Sequence, residues 1–222
     1  DPNNADSDGD GVPDGLELTE GTDPNNADSF NTFSTGLVAY YPFNGNANDE
    51  SGNENDGSTA STTLTVDRFG NEGRAFDFDG VDDFIIIPDS PSLNIGSQSF
   101  SLSIWAKVAS NPALPISSII SNYRGSSPPQ FLGFSHVEQY NGLNQTWEFS
   151  TRDSNDQKIN LNGTDGSAVP GSWVHIVGVR DKESKVTKFF INGILIDSVA
   201  DERTGSFTGL SNGQYWIGAG SL

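Results

Sequence analysis

Between Arg74 and Ile87 the sequence reads RAFDFDGVDDFIII. Phe76 and Phe78 alternate with Asp77 and Asp79, the period of two that belongs to a strand with one buried face. Gly80 and Asp82–Asp83 interrupt the run and Phe84–Ile87 resumes it. The stretch therefore predicts two strands joined by a tight acidic turn.

The same pattern recurs through the rest of the chain. Phe100, Leu102, Ile104, Ala106 and Val108 share one face of a strand, and Ser101, Ser103, Trp105 and Lys107 share the other. Trp173–Arg180 places Trp173, His175, Val177 and Val179 together. Lys188–Ile191 and Ile194–Val199 flank Asn192-Gly193, a strong hairpin-turn signal. Shorter strands are predicted at Leu37–Phe43, Ile116–Ser121, Phe131–Val137, Thr146–Thr151, Lys158–Leu161 and Tyr215–Gly218. No helical period extends beyond one turn. About a dozen short strands with turn residues between them predict an all-β sandwich.

The first 29 residues are different. They hold nine acidic residues and no Lys or Arg, and the segment DPNNADS occurs at 1–7 and again at 23–29. Exact repetition marks an array. Between the copies lies an oxygen-ligand calcium loop by spacing: Asp6, Asp8, Asp10, Val12, Asp14 and Glu17 stand at positions 1, 3, 5, 7, 9 and 12, with Gly11 at 6. Alternate carboxylates on a tightly curled loop point inward. Val12 supplies a carbonyl, and Glu17 closes the shell. Asp23 and Asp28 in the second copy complete this site or begin another. Residues 30–35 read as a linker whose two Phe pack the spacer onto the next domain.

Composition narrows function. Thirty acidic against eleven basic residues give a net charge of −19. No basic stripe exists to displace phosphate counterions, so a nucleic-acid partner is excluded. There is no Cys, hence no disulfide or thiolate chemistry. No apolar run approaches the roughly 18 residues of a membrane span. Without Met and beginning at Asp1, the chain reads as a piece of a longer protein.

Residues 1–29 resemble the bacterial thrombospondin type 3 repeat, a calcium-binding spacer. The segments LVAYYPFNGNANDESGNENDG, RAFDFDGVDDFIIIPDSPSLNI, FSLSIWAKV, WVHIVGVRD and KFFINGILIDS, in that order, resemble a bacterial laminin-G-like domain. That resemblance implies the concanavalin A-like jelly-roll fold over 36–222. It also implies a closing strand after the IGAG segment, beside the first strand. The chain ends at Leu222, so that strand is expected to be missing, through truncation or because another polypeptide supplies it.

The resemblance implies a structural His175 and a second calcium near the loop 48–57, with Asp49 the leading ligand and the Asp79–Asp83 turn offering more carboxylates. The polar turn chemistry of that loop explains the same residues. It also implies that Tyr123, Arg124, His136, Tyr140, Trp147 and Arg152 lie on the strands and loops of a concave sheet. There they offer aromatic faces and polar groups to a sugar, although Tyr140 and Trp147 also read as packing residues. Glycosidase carboxylates in an E-x-D-x-E pattern are absent, as are the Arg and Tyr motifs of alginate lyases on this fold. Asp77 and Asp79 alternate on one strand but sit in the family's Phe-Asp-Phe-Asp-Gly motif. Asn144-Gln145-Thr146 and Asn162-Gly163-Thr164 match the glycosylation sequon, which has little meaning if the source is bacterial.

The expectation is thus a non-catalytic, calcium-binding adhesion module, secreted or at the cell surface, binding a glycan or another cell-surface ligand. The alternative is a structural subunit of a surface filament or matrix that self-associates by strand donation.

Overall fold

The computed structural model describes residues 7–8, 14, 22–26, 29, 36–108, 116–122, 131–140, 143–207 and 214–218. The expected linker 30–35 lies outside them, as do Asp6, Asp10, Val12, Glu17, Asp28, Tyr123 and Arg124.

Among the described residues the chain forms thirteen strands. They are β1 (Ser58–Ala60), β2 (Thr63–Thr65), β3 (Ala75–Asp77), β4 (Phe84–Ile87), β5 (Phe100–Lys107), β6 (Ile116–Ser121), β7 (Phe131–Tyr140), β8 (Leu143–Arg152), β9 (Lys158–Asn162), β10 (Trp173–Asp181), β11 (Val186–Ile191), β12 (Ile194–Ala200) and β13 (Tyr215–Ile217). A seven-stranded sheet runs β1-β4-β13-β6-β7-β8-β9 and a four-stranded sheet runs β12-β11-β10-β5, with β2-β3 a separate ribbon. Every pairing is antiparallel. The fold is a jelly-roll β-sandwich, as the sequence predicts.

The core lies between the two large sheets. Phe134 of β7, Phe149 of β8 and Phe189 of β11 are fully buried, with ring centroids 5.2 to 6.3 Å apart. Burying each such ring contributes about 1.5–3 kcal/mol. Gly178 of β10 makes room for Phe149, since a Cβ there would stand 2.5 Å from that ring. Val174, Ile176 and Arg180 of β10 point inward, so Trp173, His175, Val177 and Val179 lie on its outer face. The Asn192-Gly193 hairpin forms as predicted, with φ of 49° and 78°. Positive φ at both positions is what a type I′ turn requires.

Three strand expectations change. Leu37–Phe43 is not a strand. The loop after it takes its backbone groups instead. Tyr40 N–H donates to Asp49, Glu50 N–H donates to the Tyr40 carbonyl, and the Asn55 amide donates to the Val38 carbonyl. Second, β3 and β4 do not form a hairpin. β3 pairs with β2, while β4 lies between β1 and β13. Asp79 and Asp83 accept backbone N–H groups within the turn, which makes it a corner between sheets. Third, β1 and β2 were not anticipated. Each has three residues, too few to show a period.

Candidate functional site

In the acidic lead-in the described ligand candidates are Asp8, Asp14 and Asp23. Both oxygens of Asp14 accept from Ser7, one from its backbone N–H at 2.7 Å and one from its hydroxyl at 2.6 Å. These bonds, the hydroxyl's first, hold the Asp14 carboxyl below the usual carboxylate range. They bring position 9 to position 2. Asp23 accepts from Asn25 N–H and donates its own N–H to Ser29, closing a turn of the second copy.

Asp49 is surrounded by donors, not by other ligands. Its two oxygens accept from the N–H groups of Tyr40, Ser51 and Asn55 and from the Ser51 hydroxyl, all at 2.8 to 3.0 Å. Burial raises its pKa, but these donors outweigh burial and the net shift is downward. A cation would have to displace them, so this arrangement does not fit a calcium ligand. The carboxylates that do converge, among the described residues, are Asp79, Asp82 and Asp83, whose ligand atoms lie within 4.8 Å of one another. Asp79 and Asp83 already cap backbone N–H groups there.

The expected sugar platform is corrected in part. Trp147 is 0% exposed and His136 is 1% exposed. Their strands pair at this position and the rings meet edge to face, 5.8 Å apart. Both belong to the inward row of β7 and β8 with Phe134 and Phe149, so neither presents a face to a ligand. Tyr140 is placed in β7 by its backbone; its side chain lies outside the described residues. Arg152, at the end of β8, pairs with Asp156 at 2.8 Å on the surface.

The opposite face of the same sheet carries a different row. Cross-strand register aligns Ile86 of β4, Trp216 of β13, Ser121 of β6, Gly133 of β7, Ser150 of β8 and Asn160 of β9. The neighbouring row brings Ser118, Ser135, Glu148 and Asn162 together. All alternate with core residues, so all face away from the core. Trp216 is half-buried and packs on Phe84 at 5.1 Å. The Ser150 hydroxyl donates to Glu148, the Asn160 amide donates to the other Glu148 oxygen at 3.3 Å, and Ser150 is also 2.9 Å from the Asn160 carbonyl oxygen. Buried acceptor or donor atoms remain at Ser118 Oγ and Asn162 Oδ1. An aromatic edge thus flanks a floor of small residues, with a carboxylate and two amides on the far side. With strands about 4.8 Å apart, Trp216 and Ser150 stand roughly 14 Å from each other. Glu148 is the one carboxylate in these two rows, whereas glycoside hydrolysis in most families uses two.

Sequence reasoning missed this face. Glu148 lies between Trp147 and Phe149, and the strict alternation Trp-Glu-Phe-Ser was the available signal. Trp216 sits on a three-residue strand that shows no period by itself.

Comparison with known proteins supports the architecture. The pattern of the Laminin_G_3 family, described as the concanavalin A-like lectin/glucanases superfamily, matches residues 79–221. The pattern of the bacterial TSP3 repeat matches residues 6–27. A search of curated proteins returned no match. Among solved structures, the chain is similar to the binding domain of botulinum neurotoxin DC in complex with rat synaptotagmin II. That match has a TM-score of 0.60 and 15% identity, and covers 84% of this chain and 44% of that one. It is similar to the receptor binding domain of botulinum neurotoxin D (TM-score 0.59, 16% identity, 79% and 42% covered). It is also similar to the binding domain of Paraclostridial Mosquitocidal Protein 1 (TM-score 0.56, 15% identity, 79% and 47% covered). The chain spans less than half the length of each, and these identities show a shared fold.

Proposed function

The chain belongs to the concanavalin A-like lectin/glucanases superfamily, and from that premise we propose that it is a non-catalytic extracellular module that binds a glycan. The observation that carries this reading is the row Trp216–Ser121–Gly133–Ser150–Asn160 with Glu148 beside it. A pyranose presents C–H groups on one side and hydroxyls around its rim. The half-buried Trp216 ring suits the first; the Glu148 carboxylate and the Asn160 and Asn162 amides suit the second. Ser121, Gly133 and Ser150 form the buried floor of the row, so contacts to the sugar would come from the Trp216 edge and from Glu148, Asn160 and Asn162 at the rim. Of the solved structures similar in fold, one is described as a receptor binding domain and one as a binding domain in complex with rat synaptotagmin II, which is consistent with a binding role. A printed array of neutral and acidic polysaccharides tests the reading. Retention of the protein on at least one of them is expected; no retention on any, with calcium present, overturns it.

The organisation we propose is a repeat spacer over 1–29, a linker over 30–35 and the sandwich over 36–222. In the spacer, Asp6, Asp8, Asp10, the Val12 carbonyl, Asp14 and Glu17 would hold calcium. The donor set is entirely hard oxygen, and the Ser7–Asp14 contact, which brings positions 2 and 9 together, supports the reading, although the ion would have to share or displace the Ser7 donors on Asp14. The bound ion would stiffen the spacer, with affinity on the order of 0.1–1 mM as in other extracellular modules.

A second reading, assembly by strand addition, is favoured by one observation. Among the described residues β5 is bonded on one side, to β10, and its other edge is open. Light scattering across a concentration series tests it: growth in mass supports assembly, and a constant monomer mass refutes it.

A further inference from the structure

The outer face of the four-stranded sheet carries a second built feature, around Arg68. Residues 67–71 form a tight turn closed by Asp67, whose carboxylate accepts from the N–H groups of Phe69 and Asn71 and from the Asn71 amide. Asp67 N–H also donates to the Asn71 carbonyl. The turn holds Arg68 at its tip. From there the guanidinium lies over the Phe69 ring, 4.1 Å from its centroid, and over the Trp105 ring, at 4.6 Å. Trp105 stacks on His175 of the neighbouring strand at 4.9 Å and 12°. His175 Nε2 is 2.8 Å from the Ser103 hydroxyl, and its backbone N–H donates to Asn192. The guanidinium is therefore anchored, through the Trp105 and His175 rings, on the paired strands β5 and β10 at one edge of the sheet.

Among the described residues the guanidinium's close contacts are with the Phe69 and Trp105 rings. Its N–H donors point in the plane, and among the described residues no carboxylate or carbonyl accepts from them. An aromatic-stacked Arg with a free fork is the geometry that recognises a carboxylate bidentately. Apolar surface surrounds it: Phe69 is 65% exposed, Tyr40 43% and Trp105 40%. Lys107, two residues along β5, lies over Trp173 at 5.1 Å and adds a second cation to the same face. Burial and the charge of Arg68 push His175 below its ordinary value, so the imidazole is neutral at neutral pH.

We propose that Arg68, flanked by Phe69, Trp105 and Tyr40, is a binding site for the carboxylate of an acidic sugar, a hexuronate, with the sugar ring resting on the exposed aromatic surface. Charge favours this occupant over others. The molecule carries −19 overall, so a polyanion needing many phosphate contacts gains nothing from one fixed Arg and one Lys. A single carboxylate matches a single fork; screening with a length of about 8 Å at physiological salt limits the reach of more distant acidic groups, and the Asp67 carboxylate in the same turn is taken up by the Phe69 and Asn71 donors. The site is separate from the Trp216 row on the other sheet and does not depend on it.

The test titrates the calcium-loaded full chain with glucuronate and galacturonate oligosaccharides, with the same oligosaccharides reduced at the carboxyl, and with phosphatidylserine vesicles. Nitrogen-detected NMR reports on the Arg68 Nε–H and the Trp105 indole. The uronates are expected to shift both signals, the reduced sugars to shift neither, and R68K to bind about tenfold more weakly because it keeps the charge but loses the fork. Arg68 is exposed, so its variants keep the fold; F69A gives a second reading and is expected to weaken binding too. Equal binding of the reduced sugars, unchanged binding by R68K, no shift with either uronate, or a response to vesicles alone would each overturn the proposal. The Arg68 and Trp105 signals report this site alone, which separates its failure from failure of the glycan row on the other sheet.

Discussion

Arg180 and Asp201 form an ion pair sealed in the core, with Arg180 Nε 3.1 Å from Asp201 Oδ2 and both side chains no more than 1% exposed. Arg203 reaches the same oxygen at 2.7 Å, and Thr187 donates its hydroxyl to it at 2.6 Å. The two guanidinium groups also flank Phe207, 4.8 and 4.9 Å from its ring centroid. Their remaining donors go to the carbonyls of Ser97, Gln98, Thr151 and Arg203. The cluster thus ties the segment after β12 to the start of β5 and the end of β8.

Asp201→Asn is expected to destabilise the sandwich by about 3–5 kcal/mol, because it leaves two buried guanidinium groups without their counter-charge. Chemical denaturation of variant and parent checks this. A midpoint shift within error would show that the cluster is not a structural pin.

Acid should unfold the protein in two stages. Burial raises the Asp201 pKa, but hydrogen bonds from Arg203 and Thr187 and the Arg203 charge win, and the folded value lies well below the usual range. Asp49 is lowered by its own donors. Each contributes stability that is complete above the unfolded value of about 3.9 and is lost as pH falls through the folded value. His175 is also lowered, by burial first, so the unfolded chain binds its proton more readily. A shallow loss of stability should begin below about pH 6.5 and a steep one below about pH 4. Thermal melts from pH 8 to 3 check both limbs, and H175N should remove only the first.

Much of this architecture is legible in the chain. The alternations at Phe100–Val108 and Trp173–Arg180 gave both strands and which residues share a face, and Asn192-Gly193 gave the hairpin. Where a strand's two faces are both covered, alternation stops reporting which side is the core. β8 buries Trp147 and Phe149 inward and also Ser150 outward, so Trp147 read as a packing residue as well as a ligand platform. The partners of β3 and β4 were illegible because pairing across sheets is set by distant strands. Asp49 looked like a ligand because ligands and turn caps share the same Asp-rich loops; the structure distinguishes them by what points at the carboxylate.

Gly133→Ala should cost about 1–3 kcal/mol, since crowding a packed backbone forces local shifts. A Cβ at Gly133 would stand 2.1 Å from the Ile120 carbonyl oxygen, beside the bulge where β6 shifts register on β7. The melting temperature of the variant measures this. An unchanged value would place more slack between β6 and β7 than the structure has.

Calcium removal should act on the lead-in and spare the sandwich. Limited proteolysis after chelation is expected to cut within 1–29 and to leave 36–222 intact, with the melting temperature of the sandwich unchanged. Cleavage inside the sandwich first would place a stabilising ion there instead.

The central claim is that the outer face of the seven-stranded sheet binds a glycan through Trp216 and the Glu148–Asn160 pair. The direct measurement is calorimetric titration of the best-retained glycan into the parent protein, W216A and N160A. Trp216 is half-buried on the surface row, so its truncation leaves the core intact. A loss of at least roughly tenfold in affinity for each variant, with melting temperatures held, is the expected result. Parental affinity in both would contradict the account and place the glycan elsewhere on the molecule.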